Sequence, residues 1–365
     1  MGVYYAILGW ILYLGLLKAL TRKYEHAETA LLLPLSLTLF LCAALRGTSV
    51  GADTWQYCAH FLSIAETAWA DLPHHVTPRF GGVEIGYAVY NKLLSAFGHQ
   101  QTITVVNSLA LILFVSVLIF RDSANRYLSF FLYFTFCFFQ TALNLTPSSI
   151  VSYAMFLTFP LIRKRKLVPF LLCIAVGMCF HLSAMFFLPM YWLGQLPFRR
   201  KTALPVLAAG GAIAVFYLQC LPYLLFFVPT VYRHYLDDTS EHTGYTVELL
   251  VYAVQLLAVL FCVLTVERED RPAMCRENQI ALWAFVTETI FYALSVRSSM
   301  FSRGAFLYSP YTVLLIPNIL REIRDERKRK RVTLLLILYG VAAYLARTRI
   351  NNVGKTIPYE FFFGT

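Results

Sequence analysis

Twelve apolar runs of 14 to 20 residues dominate this chain and leave it few ways to fold. They lie at roughly 3–20, 29–46, 102–120, 127–143, 147–162, 167–180, 182–196, 202–221, 247–266, 279–297, 303–320 and 332–348. A helix crossing a bilayer needs ~20 such residues. In hydrocarbon every backbone N–H and C=O must find a partner within the protein, so only helices and closed barrels qualify. A barrel strand is an alternating segment of ~10 residues. These runs are about twice that length, which excludes the barrel. Charged residues make up 14% of the 365, against about 25% in soluble domains. The expected fold is an all-α polytopic integral membrane protein with about 12 (10–12) transmembrane helices. It forms a single membrane domain, 1–365, without soluble domain, linker, low-complexity segment or internal repeat. Met1–Leu20 lacks a basic leader and an A-x-A cleavage site, so it reads as the first span rather than a signal peptide.

The net charge of +11 would raise nucleic acid as a partner for a soluble protein. Here the basic clusters "RKRK" (163–166) and "RDERKRKR" (324–331) sit between spans, where retention of lysine and arginine in cytoplasmic loops accounts for them. The same rule sets topology. With the N-terminus outside, the inner loops hold Arg22 and Lys23, Arg121 and Arg126, "RKRK", "FRRK" (198–201), Arg268, Arg271 and Arg276, and the 321–331 loop. The run 167–193 is 27 residues long with a basic cluster at each end. Two short spans with His181 at an outer turn satisfy both clusters. The eight cysteines are scattered, with no CxxC pair, and read as small core residues rather than a disulfide or zinc framework.

The less ordinary stretches then share the outer side. The loop 46–101 begins with "RGTSVGADTWQY" and contains "GGVEIGYAVYNKLLSAFG", a short amphipathic helix with Glu84, Tyr87 and Asn91 on one face. A second outer loop, 222–246, carries "YRHYLDDTSEHTGY". Together the outer polar residues are Arg46, Asp53, Thr54, Tyr57, Arg79, Glu84, Asn144, His181, Tyr232, Arg233, His234, Arg297 and Arg303. Arginine binds phosphate bidentately, and outer loops are ordinarily poor in it. An anionic lipid headgroup such as a diphosphate would explain so many.

Plainer roles compete. Arg46 and Arg297 could snorkel from span ends, Asp53 could cap a helix, and His181 could be a buried histidine bonded to a carbonyl. Tyr232 and Tyr235 suit an interfacial belt, and His234 and His242 a solvated loop without metal spacing. Glu288 falls mid-span, where a charge costs ~2.5–3.5 kcal/mol on insertion scales. It reads as hydrogen-bonded to another span or as part of a substrate or proton path; the second keeps a transporter in play.

The pattern R-G-x-x-V-G-x-D-T-x-x-Y from Arg46 to Tyr57 resembles the signature of the EpsG family, the Wzy-like polymerases of bacterial capsule, exopolysaccharide and O-antigen. E-x-G-Y-x-x-x-N (84–91), the turn at Asn144, F-H-x-S-A (180–184), F-S-R-x-A-x-x-Y (301–308), L-L-I-P (314–317) and a tail I-P-Y-E-F-F (357–362) follow in the family's order. One departure stands out. The family's turn reads Asn-x-x-Arg-Gln, whereas Pro147 and Ser148 occupy the last two places here.

The resemblance implies a GT-C-like membrane glycosyltransferase working on the outer face of the bacterial cytoplasmic membrane. Its substrates would be undecaprenyl-diphosphate-linked oligosaccharides. The growing glycan passes to the non-reducing end of another lipid-linked repeat, releasing undecaprenyl diphosphate without ATP. No cofactor and no metal is expected, since Asp53 alone is too little to hold a divalent ion. Beyond membrane lipids, a chain-length regulator and a flippase are the partners it leaves open. Arg46, Arg303 and Arg233 are the expected diphosphate ligands, and His181 or Asp53 the general base, with His181 favoured for its near-neutral ordinary pKa. Glu84, Tyr87, Asn91, Asn144 and Tyr57 are the expected sugar contacts. An O-antigen ligase or another polyprenyl-dependent glycosyltransferase is the nearest alternative, and a flippase of lipid-linked sugars the next.

Overall fold

The computed structural model describes residues 1–21, 27–75, 84–227, 276–295, 298 and 300–363, with isolated positions 253 and 257. The expected span 247–266 and the residues Arg79, Tyr232, Arg233, His234, Tyr235, His242 and Arg297 lie outside the described residues, as does most of loop 222–246. Among the described residues the regular structure is helical, apart from one isolated antiparallel bridge between Arg46 and Phe361.

Among the described residues, three helices are each long and apolar enough to cross a membrane. They are α1 (Gly2–Leu20), α6 (Gln101–Asp122) and α18 (Glu326–Ile350). Between the first two come α2 (Ala27–Ala44), α3 (Thr54–Glu66), α4 (Leu72–His75) and α5 (Ile85–Leu94). The helix α18 starts six residues before the expected run because Asp325 caps it. Its carboxylate accepts the N–H groups of Arg327 (2.8 Å) and Lys328 (3.2 Å), so the basic cluster becomes the helix's first turns.

Several expected spans are broken. The run 127–143 forms α7 (Arg126–Thr135) and α8 (Phe138–Asn144), parted at Cys137, whose φ is 60°. The run 147–162 forms α9 (Thr146–Phe156) and α10 (Phe159–Arg163). The long run from 167 forms α11 (Leu167–Phe180), then a 3-10 turn over Leu182–Phe187 and α12 (Pro189–Leu193), and it breaks at His181. The run 202–221 forms α13 (Arg200–Val215) and α14 (Tyr217–Phe227), bent by 94°, a broken span or a re-entrant loop. After α15 (Arg276–Ser295), the run 303–320 forms α16 (Met300–Tyr308) and α17 (Pro310–Glu322).

A break frees backbone groups that hydrocarbon cannot satisfy, and at two of these breaks buried polar side chains supply the donor. Arg347 Nη1 donates to Phe136 O at 2.5 Å, and Thr158 Oγ1 to Met155 O at 2.5 Å. Ser309 Oγ donates to Glu288 Oε1 at 2.8 Å, and Thr312 Oγ1 to Glu288 Oε2 at 3.1 Å. Glu288 therefore makes the inter-helical hydrogen bonds open to it, at the junction of α16 and α17.

The core is aromatic. Phe156 and Tyr311 meet with ring planes tilted by 43° and centroids 3.8 Å apart, and Tyr133, Tyr153, Phe134 and Tyr344 are fully buried in the same core. Outward, Leu33, Leu37 and Leu41 and then Leu109, Leu113 and Val117 form exposed stripes at i, i+4, i+8. A stripe of that kind belongs against lipid tails. By helical rise α6 is about 33 Å long and α18 about 37 Å, enough for a hydrocarbon core of ~30 Å.

Those two helices also fix which loops share an end. At the start of α6, Gln101 Nε2 donates to Ala44 O (2.7 Å) and Arg46 O (3.1 Å); at its far end Arg121 Nη2 donates to Phe156 O (3.2 Å). Arg163 pairs with Asp122 at 3.6 Å, and Asn318 Oδ1 accepts Ala124 N–H at 2.7 Å. The described stretches 121–126 and 163–166 and the end of α17, which charge patterning puts inside, gather at one end of α6, and the signature loop lies at the other.

Candidate functional site

The signature loop is built from its backbone upward. Gly51 has φ +100°, and a Cβ there would sit 2.7 Å from Thr54 Oγ1 and 3.2 Å from Leu143 O. Only glycine suits both the dihedral and the space. Thr54 Oγ1 closes the turn on Val50 O at 2.7 Å, and Asn144 Oδ1 accepts Asp53 N–H at 2.9 Å. Asp53 occupies the N-cap position of α3 but makes no side-chain cap bond, so its carboxylate is not spent on the helix end.

The C-terminal tail straps this loop down. Lys355 O and Gly354 O accept the N–H groups of Gly51 and Ala52, each at 3.2 Å, and Glu360 O accepts Gly47 N–H at 2.8 Å. Ser49 Oγ donates to Glu360 Oε2 at 2.6 Å, and Tyr359 Oη to Cys42 O at 2.8 Å.

On the other flank, α5 crosses the end of α11 in backbone contact. A Cβ on Gly86 would lie 2.7 Å from Cys179 O, so the glycine permits the crossing. That approach delivers Glu84, whose Oε1 accepts Leu182 N–H at 2.8 Å. The expected common face of α5 exists, but it turns inward. Tyr87 and Asn91 are buried, whereas Ile85, Leu93 and Phe97 are exposed. Asn91 Nδ2 donates to Tyr87 O at 2.7 Å, and Tyr87 Oη accepts from Asn107 Nδ2 at 3.2 Å. With Trp55, Leu62 and Trp69 on and after α3 also exposed, α3 and α5 together present an apolar aromatic surface of the kind that lies in a membrane interface.

Asp53, Tyr57, Glu84, Tyr87, His181 and Arg303 form one electrostatic cluster. Burial pushes the Tyr57 hydroxyl pKa up; Asp53, Tyr87 and Glu84 push it further, while Arg303 opposes them. Burial also pulls the His181 imidazole down to about 4, opposed by Glu84 and aided by Arg303. His181 Nδ1 accepts Ser183 N–H at 3.2 Å and lies 2.7 Å from Ser183 Oγ. A backbone N–H can only donate, so the neutral ring carries its proton on Nε2. The structure therefore brings together residues from three outer stretches far apart in sequence, 53–57 with 84, 181, and 303. No group of three or more metal-ligating side chains occurs among the described residues.

Arg46 does something different. It is 2% exposed, with Nη1 donating to Ala43 O and to Ser108 Oγ (3.1 Å), and Nη2 to Thr146 Oγ1 (3.2 Å) and Leu143 O (3.4 Å). Its guanidinium joins the frayed C-terminal ends of α2 and α8.

Beside the cluster is an apolar cavity of about 600 Å³ between α5, α6, α9 and α11. Tyr87, Tyr90, Pro147, Val151, Gly177 and Phe180 are among its walls. Tyr87 belongs to both the cavity and the cluster, and Phe180 precedes His181. A family model matches residues 29–361, nearly the whole chain. The chain belongs to the EpsG family. No curated protein and no solved structure matches it.

Membership in the EpsG family supports a membrane protein of the polysaccharide-polymerase type, and the geometry gives its motif residues physical tasks. In F-H-x-S-A, Ser183 orients His181. In F-S-R-x-A-x-x-Y, Ala305 is fully buried and Tyr308 Oη donates to Phe186 O at 2.6 Å, fixing Arg303's helix against the His181 turn. Where the family pattern has Arg-Gln, this chain places Pro147 in the cavity wall and Ser148, whose Oγ lies 3.4 Å from Ser183 Oγ. The tail strap had no structural reading in the sequence, although its Pro-Tyr pattern marked it.

Proposed function

We propose that this protein is a glycosyltransferase that polymerises undecaprenyl-diphosphate-linked oligosaccharide repeats on the outer face of the bacterial cytoplasmic membrane. The observation that carries this reading is the juxtaposition of a charged cluster with an apolar cavity that shares Tyr87 with it. An amphiphile with an anionic, sugar-bearing head and a long apolar tail matches both halves. Arg303 faces the diphosphate and stabilises the charge that develops as the anomeric C–O bond breaks. The acceptor hydroxyl forms the new glycosidic bond and gives its proton to Asp53, while the diphosphate leaves on its lipid. His181 supplies Nε2–H as a donor to a substrate oxygen, so the general base is Asp53. Glu84 seats the His181 turn, and Tyr57 lines the sugar side. About twelve spans in a GT-C-like arrangement would enclose this site.

Reconstitution tests the reading. Purified protein in liposomes, given its own lipid-linked repeat, is expected to yield a ladder of products. A folded protein with intact substrate and no ladder would overturn it.

The proton placement on His181 gives a pH prediction. With a folded pKa near 4, below the ordinary ~6.5 of the unfolded state, the ring stays neutral above about pH 5. Its contribution to stability is complete above the unfolded value and is lost as pH falls toward the folded one. Ladder formation should therefore be level from about pH 5.5 to 8. A limb that halves near pH 6.5 and disappears in His181→Asn would sink the donor assignment.

A further inference from the structure

At the end of the molecule away from the signature loop, a cavity of about 520 Å³ lies between the start of α18, the end of α17 and the turn before α7. Its lining is of two kinds. Leu128, Leu320, Leu334 and Ile337 form an apolar wall, and Arg321, Arg329 and Lys330 a basic rim; among the described residues Glu326 is the one acidic residue lining it. The surrounding stretch 321–331 holds seven cationic and three acidic side chains.

The rim is arranged rather than merely charged. Arg329 Nη1 donates to Ile323 O at 3.2 Å, which anchors its guanidinium in the lining. Lys330 pairs with Glu326 at 2.7 Å, but both side chains are more than half exposed. Such a pair is weak and yields readily to a stronger anion. The wall opens sideways: Leu334 is 57% exposed and lies on the same lipid-facing surface as Leu335 and Leu338. Because α18 is about 37 Å long and its other end carries the tail strap, this mouth lies at the opposite membrane surface.

We propose that this cavity binds an anionic phospholipid of the surrounding bilayer. The phosphate lies among Arg321, Arg329 and Lys330, and one acyl chain runs along Leu334 and Ile337. A basic pocket between helices at the membrane surface is suited to such a headgroup, and the apolar wall has no use for free phosphate. This site is independent of the polymerase reading and stands or falls without it.

The test uses the full-length protein in detergent, titrated with phosphatidylglycerol, phosphatidylcholine or inorganic phosphate while its thermal midpoint is followed. Phosphatidylglycerol alone is expected to raise the midpoint. The R321Q/R329Q/K330Q variant should bind it at least about tenfold more weakly, while R321K/R329K keeps most of the affinity and shows that the fold is intact. The K164Q/K166Q variant, altered in another exposed basic cluster, should bind normally. L334W should weaken phosphatidylglycerol with every charge in place. Equal shifts with phosphatidylcholine, a full shift with phosphate alone, or the same loss in K164Q/K166Q would overturn the proposal. Unchanged affinity in L334W would overturn the placement of the acyl chain.

Discussion

Arg303→Ala is expected to abolish the product ladder while leaving a folded protein in the membrane. Three features make this the most informative substitution at the proposed site. Arg303 is partly buried, on a helix that Tyr308 ties to the backbone at Phe186. It is the described cation that acts on both Tyr57 and His181. The diphosphate leaving group gains negative charge as the glycosidic bond breaks, so a fixed cation stabilises the transition state more than the ground state. Loss of one such preorganised donor typically lowers turnover by about 10²–10³. Arg303→Lys keeps the charge but loses the fork, and should retain a measurable part of the rate. The assay is ladder length and initial rate in liposomes, alongside a thermal melt. Normal chain lengths in Arg303→Ala would remove the electrostatic argument for the site. A protein that melts early would show instead that the arginine serves the packing of α16.

The legible part of this architecture was the part written in hydrophobic runs and charge. The bounds of α11 follow from basic residues on one side and a polar break on the other, and the turn at His181 follows from the demand that both basic clusters share a side. Charge patterning also put 53–57, 84, 181 and 303 on one side, where Tyr57 and His181 feel the charges of Glu84 and Arg303. What the sequence hid was orientation. Glu84, Tyr87 and Asn91 share a face of α5, as their spacing required, but periodicity does not say whether that face meets solvent or protein; here Asn91 is wholly buried. The break at Cys137 was equally hidden, because neither proline nor glycine marks it. Its partner, Arg347, lies more than 200 residues away. Such long-range satisfaction of a frayed helix end leaves no local signal.

Arg46 is the residue whose reading the structure changes most, and it carries the second large expectation. By sequence alone it resembles a phosphate ligand at a span end. In the fold its guanidinium supplies hydrogen bonds to Ala43 O, Leu143 O, Ser108 Oγ and Thr146 Oγ1 in a buried setting. Arg46→Ala would leave Ala43 O without its donor, where water does not readily replace it, while Leu143 O keeps the Thr146 hydroxyl at 2.9 Å. One orphaned buried group costs about 1–3 kcal/mol, and a loss of that order is expected, less whatever water recovers. The signature loop and tail strap meet beside this residue, through the hydrogen bonds Gly47 N–H to Glu360 O and Phe362 N–H to Leu45 O. The substitution should therefore loosen both. The thermal midpoint should fall well below that of Arg303→Ala, and protease should cut the tail after 351 faster than in the parent protein. Activity should fall too, but through loss of structure, so a stabilising lipid environment or lower temperature should restore part of it. A fully stable Arg46→Ala protein that makes no ladder would reverse this assignment and return Arg46 to the diphosphate.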